Sequence, residues 1–359
     1  MDSADLTSEI RGKRVMANGK NYAIGLDIGH SAVKLAYLGQ GETQKPETII
    51  FPSVVIPAIA ISDDAEARRA AADTVTVGGR SYFVGETASI QGGRTIENVV
   101  AEDWITSNEH IALLAASLKK LDERGVLKPA SMIVMGLPTS LYSRQRETLR
   151  KIVCDLIGTG KEIKIVPQPL GAYQYNMLDE NGYQATDRSF VNESWGVVEV
   201  GYFSTDFMAM RGTGEQSRWV QGAAGICSGI RVAAERLVRL ISEEVEFGGE
   251  RGVTVGLREA EAALQTGFIK YFGKVDVRAQ VAKAGDVIAQ EVIRAATRYM
   301  ENEAATLDGI VLAGGGAPLV RDLLLKKWPH IIMTPNPRFA VAEGFRRFGV
   351  GVMAVRAVA

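Results

Sequence analysis

The feature that most constrains this chain is a strand–acid–glycine–strand pattern that occurs twice, about half the chain apart. In residues 22–38 (YAIGLDIGHSAVKLAYL) the run Ala23, Ile24, Gly25, Leu26 ends on Asp27. Gly29 follows, then a small polar turn and a second apolar run carrying Lys34. In residues 195–210 (WGVVEVGYFSTDFMAM) Val197 and Val198 lead into Glu199, Gly201 opens the turn, and Ser204, Thr205 and Asp206 begin the return. Each stretch reads as a β-hairpin with a carboxylate at its tip. One such turn alone is an ordinary hairpin. Two copies at domain spacing predict two related α/β domains facing one another across a cleft.

A tip of this composition suits phosphate. Glycine lets the backbone approach an anion closely, and successive turn N–H groups form an anion-binding concavity. A carboxylate beside phosphate is repelled unless a divalent cation lies between them. Mg²⁺ keeps several waters and takes one or two carboxylates plus substrate phosphates, so Asp27 and Glu199 are candidates to face one hydrated Mg²⁺. A third glycine site follows the apolar run Gly309–Ala313: Gly314, Gly315, Gly316, then Ala317. Three glycines after a buried strand let the backbone lie flat against a planar or phosphorylated ligand.

The segments D-I-G-H-S-A-V-K, E-V-G-Y-F-S-T-D and LAGGGAP resemble the two phosphate loops and the adenosine loop of the actin superfamily. Within it the chain resembles the plasmid-segregating bacterial actins of the ParM/StbA type, a preference carried by FPSVV followed by SYFVGETA. The resemblance runs from about Tyr22 to about Gly349. It implies an actin-like fold in which residues 21–167 with 336–359 form domain I, residues 168–335 form domain II, and a nucleotide lies in the cleft they flank. It also implies a cytoplasmic, polymerising ATPase or GTPase that uses Mg²⁺ and moves plasmid DNA through a DNA-binding centromere adaptor. Gln168, at the crossover Pro167-Gln168-Pro169, falls where the superfamily places a residue that positions the attacking water; Asp206 would assist it. Gly29, His30, Ser31, Lys34, Gly201, Tyr202, Phe203, Ser204 and Thr205 would hold the phosphates, with Lys34 as a point cation. Gly225, in what reads as a glycine-rich entry to a helix, would line the sugar or base. The family usually has Asp where this chain has Glu199, and smaller residues where it has Tyr202 and Phe203. The longer carboxylate implies slow hydrolysis or action through another water.

Composition narrows the function classes. With 46% hydrophobic and 23% charged residues the chain has a globular profile, and 359 residues suit two domains. A net charge of −1 gives no basic excess for direct nonspecific DNA binding. Two cysteines, Cys154 and Cys227, and three scattered histidines give no metal-type spacing and no Ser–His–Asp triad. Both cysteines fall in segments that read as apolar helix. No stretch approaches the roughly 20 apolar residues of a membrane span, and residues 1–20 read as a disordered leader.

Between the motifs, residues 49–57 read as an edge strand or extended loop, 62–72 as a surface helix and 74–84 as a hairpin around Gly78-Gly79. Helices are expected over 109–124, 143–156 (Leu149, Ile152, Val153 and Leu156 inward), 228–246, 257–272 and 276 to about 303. Strands are expected over 131–137, 161–166 and 217–221. Residues 336–349 resemble the family's second crossover, with Arg346 and Arg347 mostly solvated. Two alternatives stand beside the filament: a non-filament scaffold of the PilM/FtsA type, whose first loop GLDIGHSAVKL also resembles, and a sugar or small-molecule kinase. No acid dedicated to activating a sugar hydroxyl stands out, so the kinase ranks last.

Overall fold

The two main sheets are built on the same plan. The computed structural model describes residues 22–40, 44–92, 103–158, 160–247, 249, 251–300 and 303–356; the expected leader, residues 1–20, lies outside them. Packing divides the chain into two units. Unit 1 runs to Asn192 and includes Gly212–Arg218 and the chain from Phe339 onward; unit 2 comprises Glu193–Arg211 and Trp219–Arg338. Residues 168–192, assigned from sequence to domain II, thus pack in unit 1.

In unit 1, β1 (Ala23–Ile28), β2 (Ala32–Leu38) and β3 (Pro46–Pro52) form an antiparallel meander, and β4 (Val55–Pro57), β5 (Thr74–Val77) and β6 (Arg80–Val84) form a small separate sheet. Helices α1 (Asp64–Ala72), α2 (Glu86–Gln91) and α3 (Asn108–Glu123) follow, then β7 (Met132–Leu137), α4 (Thr139–Ile157), β8 (Glu162–Pro167) and α5 (Gln168–Met177). The main sheet has the order β3-β2-β1-β7-β8, with β7 parallel to β1 and β8. Alternation along β1 sends Ile24 and Leu26 into a core with Leu113, Leu114, Leu149 and Val153.

In unit 2, β9 (Trp195–Val200) and β10 (Ser204–Gly212) form the second hairpin. After the short β11 (Ser217–Trp219) come β12 (Gly225–Ser228), α6 (Arg231–Glu244), α7 (Leu257–Thr266), β13 (Phe268–Lys270), β14 (Lys274–Asp276) and α8 (Arg278–Met300). The unit then runs through β15 (Gly309–Ala313), α9 (Ala317–Lys327) and β16 (Ile331–Met333). Here β12 lies antiparallel on β10, β10 on β9, and β15 runs parallel to both β9 and β16. The short β11 also lies beside β10, making this sheet six-stranded, and its path β12-β10-β9-β15-β16 repeats β3-β2-β1-β7-β8 in order and direction. Strand–helix–strand–helix follows in both: β7-α4-β8-α5 and β15-α9-β16-α10, where α10 (Ala340–Arg356) packs in unit 1. The duplication inferred from two short hairpins extends through a whole five-stranded sheet.

Helix α10 lies on β1 and crosses α5 so closely that a Cβ on Gly344 would sit 1.7 Å from the Gly171 carbonyl oxygen. This crossing overturns the expectation that Arg346 and Arg347 are solvated. Arg346 is 0% exposed, donating to both Glu343 oxygens at 2.7 and 2.6 Å and to the Glu180 carbonyl at 2.8 Å. Arg347 donates to Glu343 and to the Tyr175 and Leu178 carbonyls, which the end of α5 leaves without intrahelical donors.

Other local expectations also change. Helix α4 starts at Thr139, and its inward stripe of Leu149 and Val153 leaves Leu156 41% exposed. The helix expected over 257–272 stops at Thr266 because Gly267 takes the left-handed cap (φ 75°), and a hairpin follows with Phe272 at its tip. The helix expected from Ser228 starts at Arg231. Residues 225–228 pair instead with Ser204–Phe207, which places half-buried Cys227 on a strand; Cys154 is on α4 and also half-buried.

Candidate functional site

The first turn is built on register. Asp27 stands opposite Lys34 in the β1–β2 ladder, and their side chains form an ion pair at 3.0 Å. Gln168 begins α5, and its Nε2 donates to the other Asp27 oxygen at 3.4 Å. Three residues nominated from separate parts of the sequence therefore meet in unit 1. Lys34 neutralises Asp27 here rather than standing free for a phosphate. The turn Gly29-His30-Ser31 is held from behind: Ser53 N–H donates to the Ser31 carbonyl at 3.1 Å, and Ser53 Oγ donates to the Gly29 carbonyl. His30 stacks on Trp104 (centroids 4.1 Å, 23° between planes), whose edge meets His110 at 4.6 Å. Burial, with Lys34 adding to it, lowers the His30 pKa to about 4; burial lowers that of His110 to about 4. His30 is therefore neutral at pH 7, and its ring belongs to an aromatic stack.

The second turn replaces the cation with an acid. Glu199 and Asp206 stand opposite one another in the β9–β10 ladder, 4% and 0% exposed. Ser204 Oγ donates to Asp206 at 3.0 Å, whereas the buried Thr205 hydroxyl donates to the Ser228 carbonyl at 2.9 Å. The carbonyls of Gly201, Tyr202 and Phe203 accept from Ile230 (3.1 Å), Arg231 (2.9 Å) and Gly229 (2.8 Å), the backbone N–H groups entering α6. Tyr202 OH donates to Glu261 on α7, and the Phe203 ring lies under the Arg231 guanidinium at 5.1 Å. Burial pushes the Glu261 pKa up to about 7. The thiol of Cys227 is raised to about 12 by burial and then by Glu291, so it stays protonated. Gly225 is not at a helix entry: it pairs with Phe207, and a Cβ there would strike the Tyr299 ring.

The third turn floors a pocket within unit 2. A Cβ on Gly314 (φ 91°) would lie 2.3 Å from the Val200 carbonyl, and one on Gly316 would lie 2.3 Å from the Ile230 side chain. One on Gly315 would meet only Arg338, at 4.0 Å. The outer glycines are thus required by packing against β9 and Ile230, and the middle one faces open space. Ala317 is the buried first residue of α9, its N–H on the Gly314 carbonyl. The pocket, of about 250 Å³, is lined by these three glycines with Ile230, Leu264, Gln265, Pro318, Leu319, Pro337 and Arg338. Its flat floor, apolar walls and few polar groups suit one planar heterocycle. Arg338 is half-buried, which lowers its pKa, and among the described residues it makes no ion pair. Sequence reasoning missed Ser53, Glu261, Gln265 and Arg338. Only Ser53 left a signal, in the FPSVV segment.

Two family models match: actin like proteins N terminal domain over residues 25–171, and archaeal actin homologue MreB-like, C-terminal, over residues 197–326. A search of curated protein sequences finds no match. Among solved structures, the chain is similar to a ParM subunit of a 15-stranded filament from Clostridium botulinum. That match has 20% identity and a TM-score of 0.67, covering 92% of this chain and 99% of that one. It is similar to an archaeal actin homolog in complex with ADP at 20% identity and a TM-score of 0.65, covering 90% and 97%. A Bacillus thuringiensis ParM with ATP matches at 14% identity and a TM-score of 0.58, covering 94% and 99%. No helix among the described residues is long and apolar enough to cross a membrane. Two actin-type domain models, which together match most of the chain and fall one on each copy of the duplicated sheet, make this chain a member of the actin superfamily.

Proposed function

We propose that this protein is a cytoplasmic, nucleotide-dependent polymerising actin of the ParM type. It hydrolyses ATP or GTP and segregates plasmid DNA through a DNA-binding adaptor. The observation that carries this reading is the duplicated sheet, which bears a glycine turn beside a buried acid at the same place in each copy. The glycine-lined pocket, which Leu264, Pro318 and Arg338 also line, supports it as a place for the base. The similar structures add that one ParM assembles into a filament and that an archaeal actin homolog holds ADP.

In this reading the turns at residues 29–31 and 201–204 bind the phosphates through backbone N–H groups, and the turn at 314–317 carries the nucleoside. Gln168 and Asp206 orient the attacking water. Phosphoryl transfer needs positioning and charge stabilisation, so no covalent nucleophile is required. Mg²⁺ would neutralise the phosphate charge, with Asp27 of unit 1 or Glu199 of unit 2 as its candidate carboxylate through water; one or two carboxylates plus phosphates is the donor set it takes.

Sedimentation and light scattering with ATP, GTP, ADP or no nucleotide test this. Pelleting that appears with a triphosphate and reverses as phosphate is released is the expected result. Nucleotide binding without pelleting points instead to a non-filament scaffold of the PilM/FtsA type, and sugar-dependent ADP release to a kinase.

A further inference from the structure

We propose that Ser53 is a positioning residue: its two donors fix the Gly29 and Ser31 carbonyls so that the turn between them presents its amide N–H groups to an anion. The inference rests on the nucleotide reading for its ligand, a nucleoside triphosphate, but not for its geometry. Ser53 follows β3, is 3% exposed, and directs its N–H to Ser31 O and its Oγ to Gly29 O. In a trans peptide the C=O and the next N–H point in opposite directions. Holding the Gly29 carbonyl toward Ser53 therefore turns the His30 N–H away from it, and holding the Ser31 carbonyl does the same for the Ala32 N–H.

The second turn shows the same arrangement by other means. Its three consecutive carbonyls, Gly201 to Phe203, are held by the backbone N–H groups of residues 229–231, ahead of and within the first turn of α6. Among substitutions only proline removes those donors. At the first turn one hydroxyl does part of this work, so the brace there is genetically removable. Without it, the Gly29 carbonyl loses a donor and the 29–30 peptide gains freedom to rotate, which costs an anion the alignment of its N–H donors. The His30 side chain does not substitute, because its ring is engaged with Trp104.

The test compares the wild-type chain with Ser53→Ala and Ser53→Thr by ATP and GTP titration and by amide hydrogen exchange without ligand. Ser53→Ala is expected to weaken triphosphate binding about tenfold, the factor that one hydrogen bond of about 1.4 kcal/mol corresponds to. Exchange over residues 29–33 should rise while residues 201–204 and 314–317 stay as in wild type, and Ser53→Thr should restore both readouts. Wild-type affinity in Ser53→Ala overturns the proposal. So does exchange that rises equally at all three turns, because that marks general loosening. If wild type binds no nucleotide, the proposed function fails, and the brace stands or falls on local exchange alone. Ser53→Cys, with its weak donor, carries the same comparison if Ser53→Ala does not fold.

Discussion

Asp206 stands directly opposite Glu199 across the β9–β10 ladder, so two buried carboxylates share one face where the equivalent positions of the first hairpin hold Asp27 and Lys34. Facing residues in an antiparallel ladder interact, and like charges there destabilise by roughly 0.2–1 kcal/mol. A neutral amide at one of the two positions removes that repulsion. Glu199→Gln is therefore expected to raise the stability of the nucleotide-free protein by up to about 1 kcal/mol in urea denaturation. The same substitution should lower magnesium-dependent phosphate release. Unchanged turnover would remove Glu199 from the mechanism.

Glu261 gives a pH dependence with a defined sign. Burial raises its pKa from 4.5 to about 7 in the folded protein. Between those values the native state holds a proton that the unfolded chain has released. Its contribution to stability is complete below about 4.5 and is lost as pH rises through about 7. Unfolding free energy should fall over that window, and Glu261→Gln should flatten the slope. Because Tyr202 of the second turn donates to Glu261, triphosphate affinity across the same window is expected to change more steeply in wild type than in Glu261→Gln, where only the ligand's own phosphate titrates. Equal pH slopes in both proteins would show that Glu261 titrates elsewhere.

The three glycines after β15 separate packing from binding. Gly316→Ala sets a methyl group 2.3 Å from Ile230 Cγ2 and 2.6 Å from Val200 Cγ1, and overpacking of this kind costs about 1–3 kcal/mol. Gly315→Val enters open pocket space and should leave the melting temperature near wild type while abolishing nucleotide binding. Calorimetry and a nucleotide titration on both variants check this. Retained binding in Gly315→Val would move the base out of this pocket.

How much was legible follows from what sets each element. The hairpins at Asp27 and Glu199 were readable because alternation and a glycine turn fix both strand and register within a few residues. Strands β7 and β15 were readable as short apolar runs and β8 from its alternation, whereas β16, with three residues, was not read. The β13–β14 hairpin was not, since each strand has three residues, too few for a period, and Gly267 stops a helix whose apolar pattern continues past it. Residues 225–228 form a strand only because β10 offers them a free edge. At the candidate site the acids and glycines stood out by type and spacing. Ser53, Glu261 and Arg338 act through contacts with partners remote in sequence, and no local pattern encodes those.

Arg346 is the sharpest such case. Glu343, Arg346 and Arg347 sit at i, i+3 and i+4, a spacing that on most helices marks a solvated face. Here the Gly171–Gly344 approach brings α5 against that face and buries the guanidinium completely. Both Glu343 oxygens receive Arg346, and one also receives Arg347, so the carboxylate is fully committed. Arg347 stays on Glu343 when Arg346 is removed, but one Glu343 oxygen and the Glu180 carbonyl then lose their buried donor, at about 1–3 kcal/mol. Arg346→Ala is expected to destabilise unit 1 by that amount in chemical denaturation. Arg346→Lys should recover little, because a point ammonium cannot span two carboxylate oxygens and the Glu180 carbonyl together. Arg346→Met with Glu343→Leu should recover only part of the loss, because Arg347 then keeps the Tyr175 and Leu178 carbonyls but loses its carboxylate. If Arg346→Ala costs less than about 1 kcal/mol, the pair behaves as a surface one and the tight α5–α10 crossing is not what holds it.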